Sequence, residues 1–284
     1  MSPDVVSVLI RACSFGALFQ AAGVVLFLAV FGRRLQASRQ PIQRLGFMSM
    51  LAAVVLTSVH YGLEAARMAG EWTGVWDREL QSLVWQTAVS TAWIVRLLAL
   101  LLMAIGVRRT GTGLALIGLL GVALATVSFT LIGHTVLAAG PWLPAALAVH
   151  LAAVAFWFGS LLPLAVLARH EPPERAAHIV TAFSRVATWV VIALFIAGTI
   201  LLLSLLPDWS ALATPYGLLV LAKVAAFAIL MGLAALNRWR YAPLLVQQTS
   251  ARQAFRRTVL AEYLLISSVL LLTAVLTTCY SPEE

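Results

Sequence analysis

Charge is scarce in this chain. Asp, Glu, Lys and Arg make up 11% of its 284 residues, against about 25% in soluble domains, so there is too little polar surface to cover a water-facing globule. That shortage excludes a soluble enzyme. Cysteine is scarcer still: Cys13 and Cys279 lie in or at the edge of apolar runs and form no C-x-x-C pair, which removes a disulfide framework and a zinc motif. No glycine-rich phosphate-binding motif occurs, so nothing points to ATP or to a pump. The first residues, Met1 to Asp4, lack a basic segment, and the apolar run after them continues to Phe31 without a small-residue cleavage site. A retained first helix is expected rather than a removable signal peptide.

Apolar residues are what the chain has in excess, at 62% with a mean hydropathy of +0.96. They fall in runs long enough to cross a hydrocarbon core, which takes about 20 helical residues. Eight spans are predicted: Val5 to Phe31, Leu45 to Ala69, Val84 to Val107, Leu114 to Ile132, Leu143 to Leu167, Val186 to Leu206, Gly217 to Leu236 and Val259 to Thr278. The fourth and fifth stay separate because Gly140-Pro141-Trp142-Leu143-Pro144 is a turn sequence that lipid does not tolerate. The fold class is therefore all-α, a polytopic helical membrane bundle, read as one integral domain over residues 1–284.

The net charge of +8 would suggest nucleic acid in a soluble chain, but in a membrane protein it orients the loops. Arg33, Arg34, Arg39 and Arg44 fall in one loop, Arg108 and Arg109 in a second, Arg169, Arg175 and Arg185 in a third, and Arg238, Arg240, Arg252, Arg256 and Arg257 in a fourth. All four loops share a side, and the other side has Arg78 alone against seven acids. Both termini are therefore expected to face outward.

Ionisable residues within spans cost at least about 2.5 kcal/mol each near the bilayer centre, so each needs an interior partner or a function. Arg11, His60, Glu64, Arg67, Arg96, His150, Lys223 and Glu262 are of this kind, with His134 at a span end, and in the orientation above all but Glu262 lie in the outer half. His60, Glu64 and Arg67 stand at i, i+4 and i+7, one helical face, where a carboxylate can orient an imidazole and an arginine can hold the carboxylate ionised. The same spacing also suits an internal ion pair that only fixes helix packing. His150 lies at a similar depth on the fifth span, with Trp157 on its face two turns deeper. Two histidines at one depth suit a transition metal, or both axial positions of a b-type haem. Arg11, Arg96 and Lys223 either snorkel to the interface or form an electropositive vestibule for carboxylates. Met48, Met50, Met103 and Met231 occupy the other half of the spans; thioethers suit Cu(I), although methionine is also a routine apolar filler.

Beyond these residue-level signals, an ordered set of segments resembles the bacterial copper resistance protein D (CopD) family. They are Gly133-His134-Thr135; His150 through Trp157 and Gly159 with Pro163; Thr214-Pro215-Tyr216-Gly217 leading to Lys223; Asn237-Arg238 with Pro243; and Arg256-Arg257, Glu262 and Leu272-Thr273-Ala274. The resemblance spans roughly Gly133 to Thr278. It implies an eight-span protein of the bacterial inner (cytoplasmic) membrane, its outward-facing termini in the periplasm, that handles copper supplied by a periplasmic chaperone of the CopC type. The leading expectation is a copper permease with His60, His134 and His150 as ligands and Met103, Met48, Met50 and Met231 as an onward route, while Glu64, Arg67, Arg96, Trp157 and Lys223 support them. The alternatives are a redox protein with haem b on His60 and His150, and a non-transporting anchor for a periplasmic partner. No enzyme activity and no nucleic-acid partner are expected.

The loop charges generate a direct test. An alkaline phosphatase fused after Glu284 is expected to be active, and a fluorescent protein fused there to be dark. The reverse pair of results would invert the orientation.

Overall fold

The fold is known from a computed structural model that describes residues 2–108, 112–132, 142–205, 209–246 and 249–279. Among these the helices are α1 (Pro3–Phe31), α2 (Arg39–Gly62), α3 (Glu64–Ala69), α4 (Arg78–Trp85), α5 (Ala88–Arg108), α6 (Thr112–Val127), α7 (Trp142–His170), α8 (Pro173–Leu205), α9 (Pro215–Leu236), α10 (Ala242–Leu244) and α11 (Thr249–Cys279). Eight stretches are long and apolar enough to cross a membrane, and each contains one of the eight predicted runs or most of it.

Local chemistry explains the boundaries. Asp77 starts α4 by accepting from the Glu79 and Leu80 amides, and Thr214 starts α9 by accepting from the Gly217 amide with Pro215 in the first turn. Gly70, at φ +72°, stops α3 in the left-handed conformation that glycine adopts without a Cβ penalty. Several boundaries differ from expectation. Val84 belongs to the short polar helix α4 rather than to the third span, which begins at Ala88. The helices of the second, sixth and eighth spans begin at Arg39, Pro173 and Thr249 rather than Leu45, Val186 and Val259, so Arg39, Arg44, Arg175, Arg185, Arg252, Arg256 and Arg257 are helical rather than in loops. Hydropathy detects only the lipid-embedded part of a helix, and long basic side chains let the helix continue past it toward water.

Helices α1 and α7 form the centre. Their most apolar stretches are 67% and 72% buried, against 11–33% for the other six spans. Helices α2, α5 and α6 pack on α1, α8 packs on α7, α11 packs on both central helices, and α9 packs on α11. Helices α8 and α9 barely meet, which leaves a cleft floored by α7 and α11.

In lipid, helices gain little from hydrophobic transfer and rely on close van der Waals approach between small residues. The central pair meets that demand at Gly23 and Gly159. A Cβ on Gly23 would lie 2.2 Å from the Ala155 carbonyl oxygen and 2.4 Å from Gly159 Cα; one on Gly159 would lie 2.5 Å from Gly23 Cα. Beside this contact Gln20 donates from Nε2 to the Gly159 carbonyl at 2.9 Å. Gly106 and Gly118 make an equivalent approach between α5 and α6, with a 2.5 Å clash for a Cβ at Gly106.

At the arginine-rich end Glu171 ties the two halves of the chain together. Its Oε1 accepts from the Ser38 hydroxyl at 2.6 Å, the Ser38 amide at 3.0 Å and the Gln36 amide at 2.8 Å. Its Oε2 faces Arg175 at 3.6 Å. Arg252 of α11 donates to the Ala168 carbonyl at 2.7 Å and the Glu171 carbonyl at 2.9 Å, satisfying the last turn of α7. Burial alone would raise the Glu171 pKa, but the Ser38 hydroxyl and amide, the Gln36 amide and Arg175 together hold it below the ordinary carboxylate value.

Two outcomes follow for thermal unfolding of the full chain in detergent. Gly23→Ala is expected to destabilise by about 2 kcal/mol or more, because backbone stands where the methyl must go. Gly16→Ala on the same helix has nothing within 4 Å of the new Cβ and is expected to be neutral or stabilising by up to about 1 kcal/mol. Equal effects at both positions would remove the central contact from the account. For Glu171 the folded pKa lies below the unfolded one, so its contribution is full above the unfolded value and disappears as pH falls through the folded value. Glu171→Gln should cost about 1.5–3 kcal/mol at neutral pH, the worth of hydrogen bonds to a charged group. On acidification below the ordinary carboxylate range, wild type should converge on the variant; parallel melting curves at all pH values would contradict this.

Candidate functional site

Two polar clusters lie inside the bundle, one among α1, α2, α3 and α5 and the other among α7, α8, α9 and α11. The first stands at the end remote from the arginine-rich loops. Helix α2 ends at Gly62 and α3 begins at Glu64, yet the chain continues in nearly the same direction and the spaced triplet makes contact. His60 Nδ1 is 3.4 Å from Glu64 Oε1, and Arg67 Nη1 is 3.0 Å and 3.2 Å from the two Glu64 oxygens. Arg67 Nε also reaches Asp4 Oδ1 at 3.4 Å. His60 Nε2 is buried without a hydrogen bond.

Arg11 and Arg96 are close enough for their charges, with that of Arg67, to act on His60. Both turn to protein partners rather than snorkelling. Arg11 donates to the Thr277 carbonyl at 3.3 Å and to Thr278 Oγ1 at 3.2 Å. Arg96 donates to Ser128 Oγ at 3.0 Å and stacks its guanidinium 4.3 Å from the Phe129 ring centre. The cluster thus gathers three arginines around two carboxylates and one imidazole.

The second cluster follows the cleft between α8 and α9. His150, on the α7 floor, rests against Gly198 of α8, where an added Cβ would be 3.4 Å from its Nδ1 and Cε1. Its Nδ1 is buried without a hydrogen bond, and the charge of Lys223 on α9 reaches it. Two turns along α7, Trp157 Nε1 donates to Glu262 Oε2 at 3.4 Å. Glu262 Oε1 accepts from Asn237 Nδ2 at 2.6 Å, and Thr258 donates to Asn237 Oδ1. A cavity of about 260 Å³ opens here, lined by Trp157, Thr188, Met231, Asn237, Arg238 and Glu262 among apolar side chains.

The predicted site residues are therefore divided. His60 faces α1, α3 and α5, whereas His150 faces α8 and α9. His134 lies outside the described residues. The methionines do not form one row: Met48 is 65% exposed on the lipid-facing surface, Met50 and Met103 are buried in the core, and Met231 lines the cavity. Among the described residues no three His, Cys, Asp or Glu side chains gather as a metal-binding group. Sequence reasoning singled out Glu262 as the one ionisable residue in the arginine-rich half of the spans but assigned it no role, and it did not weigh Asn237 as a partner. The signal was that isolation itself, because a lone acid at such depth must have been given a setting of its own.

Comparison with known proteins bears on both halves. The family described as copper resistance protein D matches residues 177–276, and the family described as the copper resistance protein D-like N-terminal domain matches residues 1–142. The chain belongs to the copper resistance protein D family. The matched residues take in the His60 cluster in the N-terminal half and Lys223, Asn237 and Glu262 in the C-terminal half, while His150 and Trp157 lie between the two matches. The copper resistance protein D of Pseudomonas syringae pv. tomato is 29% identical over 263 residues, covering 84% of this chain and 83% of that protein. No solved structure matches the chain. This member of the family is a polytopic helical membrane protein, and copper rather than haem is what the matched descriptions name.

Proposed function

We propose that this protein carries copper across the bacterial cytoplasmic membrane, receiving it at the acidic, periplasmic end and releasing it at the arginine-rich, cytoplasmic end. The observation that carries this reading is the cleft between α8 and α9. Its cavity holds the Glu262 carboxylate among mostly apolar side chains, and two turns along α7 from the Trp157 in its wall stands His150, whose Nδ1 is buried without a hydrogen bond. A lone carboxylate and an imidazole embedded in a bundle that is otherwise apolar suit the passage of a cation. Family membership supplies the ion.

In this reading His60, His134 and His150 are the receiving ligands. Glu64, fixed by Arg67, orients His60 through Nδ1 and leaves Nε2 free to bind. The surplus positive charge of Arg11, Arg67 and Arg96 repels a bare cation, so copper arrives on a periplasmic carrier of the CopC type whose carboxylates the arginines attract. Met231 is the thioether that the cleft offers further on, with Met50 and Met103 available in the core; Met48, turned to lipid, plays no part.

The test uses the full-length protein in detergent and in cells. Replacing His60 and His150 together with Ala should abolish bound copper and copper-dependent accumulation while leaving insertion intact. Glu64→Gln should weaken binding by about 10 to 100-fold without abolishing it, as expected of a group that orients a ligand. Unchanged copper content in the well-folded double variant would refute the ligand assignment.

A further inference from the structure

Glu262 is 3% exposed, and its oxygens accept hydrogen bonds from two uncharged donors, Asn237 and Trp157. Around it stand Trp157 of α7, Ser184 and Thr188 of α8, Met231 of α9, Asn237 and Arg238 of the turn after α9, and Thr258, Val259 and Phe255 of α11. Arg238 is the one basic side chain lining the cavity, and it is exposed and donates to Thr188 instead. Among the described residues Glu262 forms no ion pair. A buried carboxyl group with no basic partner reaches electrical neutrality in one of two ways, by holding a proton or by holding a cation. The 260 Å³ cavity beside it has room for either state and for the water that would carry a proton away.

We propose that the Glu262 cavity is a proton-exchange station for Cu(I), in which the Glu262 carboxyl gives up its proton as the ion enters and takes one back as it leaves. The proposal rests on the reading of copper passage and adds the oxidation state and the exchanged ion. In the exchange the carboxyl O–H bond breaks, a carboxylate oxygen binds the ion, and the proton leaves toward water at the arginine-rich end. No electron moves, and the total charge in the cavity stays constant. Met231 of α9 lines the same cavity, and its thioether is the soft donor there that suits Cu(I) rather than a hard divalent ion. Asn237 and Trp157 keep the carboxylate aimed into the cavity whichever partner it holds. Isolation of the cavity from the His60 cluster means that the exchange needs none of the three arginines there.

The experiment uses purified full-length protein with Cu(I) supplied under reductant. It reads the protonated-carboxyl stretching band by infrared difference spectroscopy and the proton release in weak buffer. Wild type is expected to lose carboxyl band intensity and release a proton as Cu(I) binds. Glu262→Gln keeps one oxygen for the short bond from Asn237 and turns an NH2 toward Trp157 at the longer one, so it is expected to fold with some loss in melting temperature and to show neither signal. Met231→Leu should retain the carboxyl band before copper is added and weaken Cu(I) binding by about tenfold or more. A wild-type protein that binds Cu(I) without a change in the band, or a Glu262→Gln variant with the same proton release, would overturn the exchange. Copper accumulation in cells separates the two readings. An intact carboxyl response without accumulation defeats transport and leaves the exchange standing, whereas accumulation without the response does the opposite.

Discussion

Everything polar in this bundle is arranged around the contact of α1 with α7 at Gly23 and Gly159. With the two backbones in contact there, no side chain separates the central helices at mid-membrane, and the remaining six spans must distribute themselves on either side. Helices α2, α5 and α6 collect on α1, while α8 and α9 flank the side of α7. The His60 cluster forms within the first group and the His150 cleft within the second. Lipid supplies little pressure to close such a bundle, so a contact that depends on the absence of a Cβ does more here than a comparable one would in a soluble core. The hydrogen bond from Gln20 to the Gly159 carbonyl is made in the same place and is buried, where an unmet amide would be costly.

The arginine-rich end closes the same arrangement from outside the hydrocarbon. Glu171 collects amide and hydroxyl donors from the segment between α1 and α2, and Arg252 of α11 holds the carbonyls of the turn that carries Glu171. Three elements far apart in sequence are thereby fixed at the arginine-rich end.

The eight spans were legible because apolar runs and their basic interruptions are one-dimensional signals. The contact among His60, Glu64 and Arg67 was legible for a similar reason, since spacing along a helix fixes a face, and the break at Leu63 did not turn that face away. Where burial depends on neighbours, sequence could not decide. Met48 and Met50 are two residues apart on one helix, equally apolar, and one meets lipid while the other meets the core. Lipid and protein interior look alike to hydropathy, so a row of methionines in sequence says nothing about a row in space. The start of α8 at Pro173 was hidden because its first turns are basic and reach past the lipid. Glu262 stood out as a lone acid, but its cavity requires Trp157, Met231, Asn237 and Thr258 from separate parts of the chain, a juxtaposition that no local pattern encodes.

The two clusters differ in the sign of their surplus charge, and that difference constrains any cation that passes. Near His60, Arg11, Arg67 and Arg96 outnumber Asp4 and Glu64, and two like charges about 4 Å apart repel by roughly 4 kcal/mol at the effective dielectric near a protein surface. Beside Glu262 there is one carboxyl group and no committed cation. Under copper passage, a positive ion is opposed first and held second, an order that works only if anionic ligands come with it as far as the arginines. In the proposed passage those ligands would belong to the delivering protein, and the arginines would retain them by charge-assisted hydrogen bonds while the ion moves on to neutral imidazole. The ion then continues without its counter-charge, into the least polar part of the membrane, and the next group able to neutralise it is the Glu262 carboxylate. Placing that carboxylate deep in the bundle, rather than beside the arginines that would have paired with it, keeps it available to the ion.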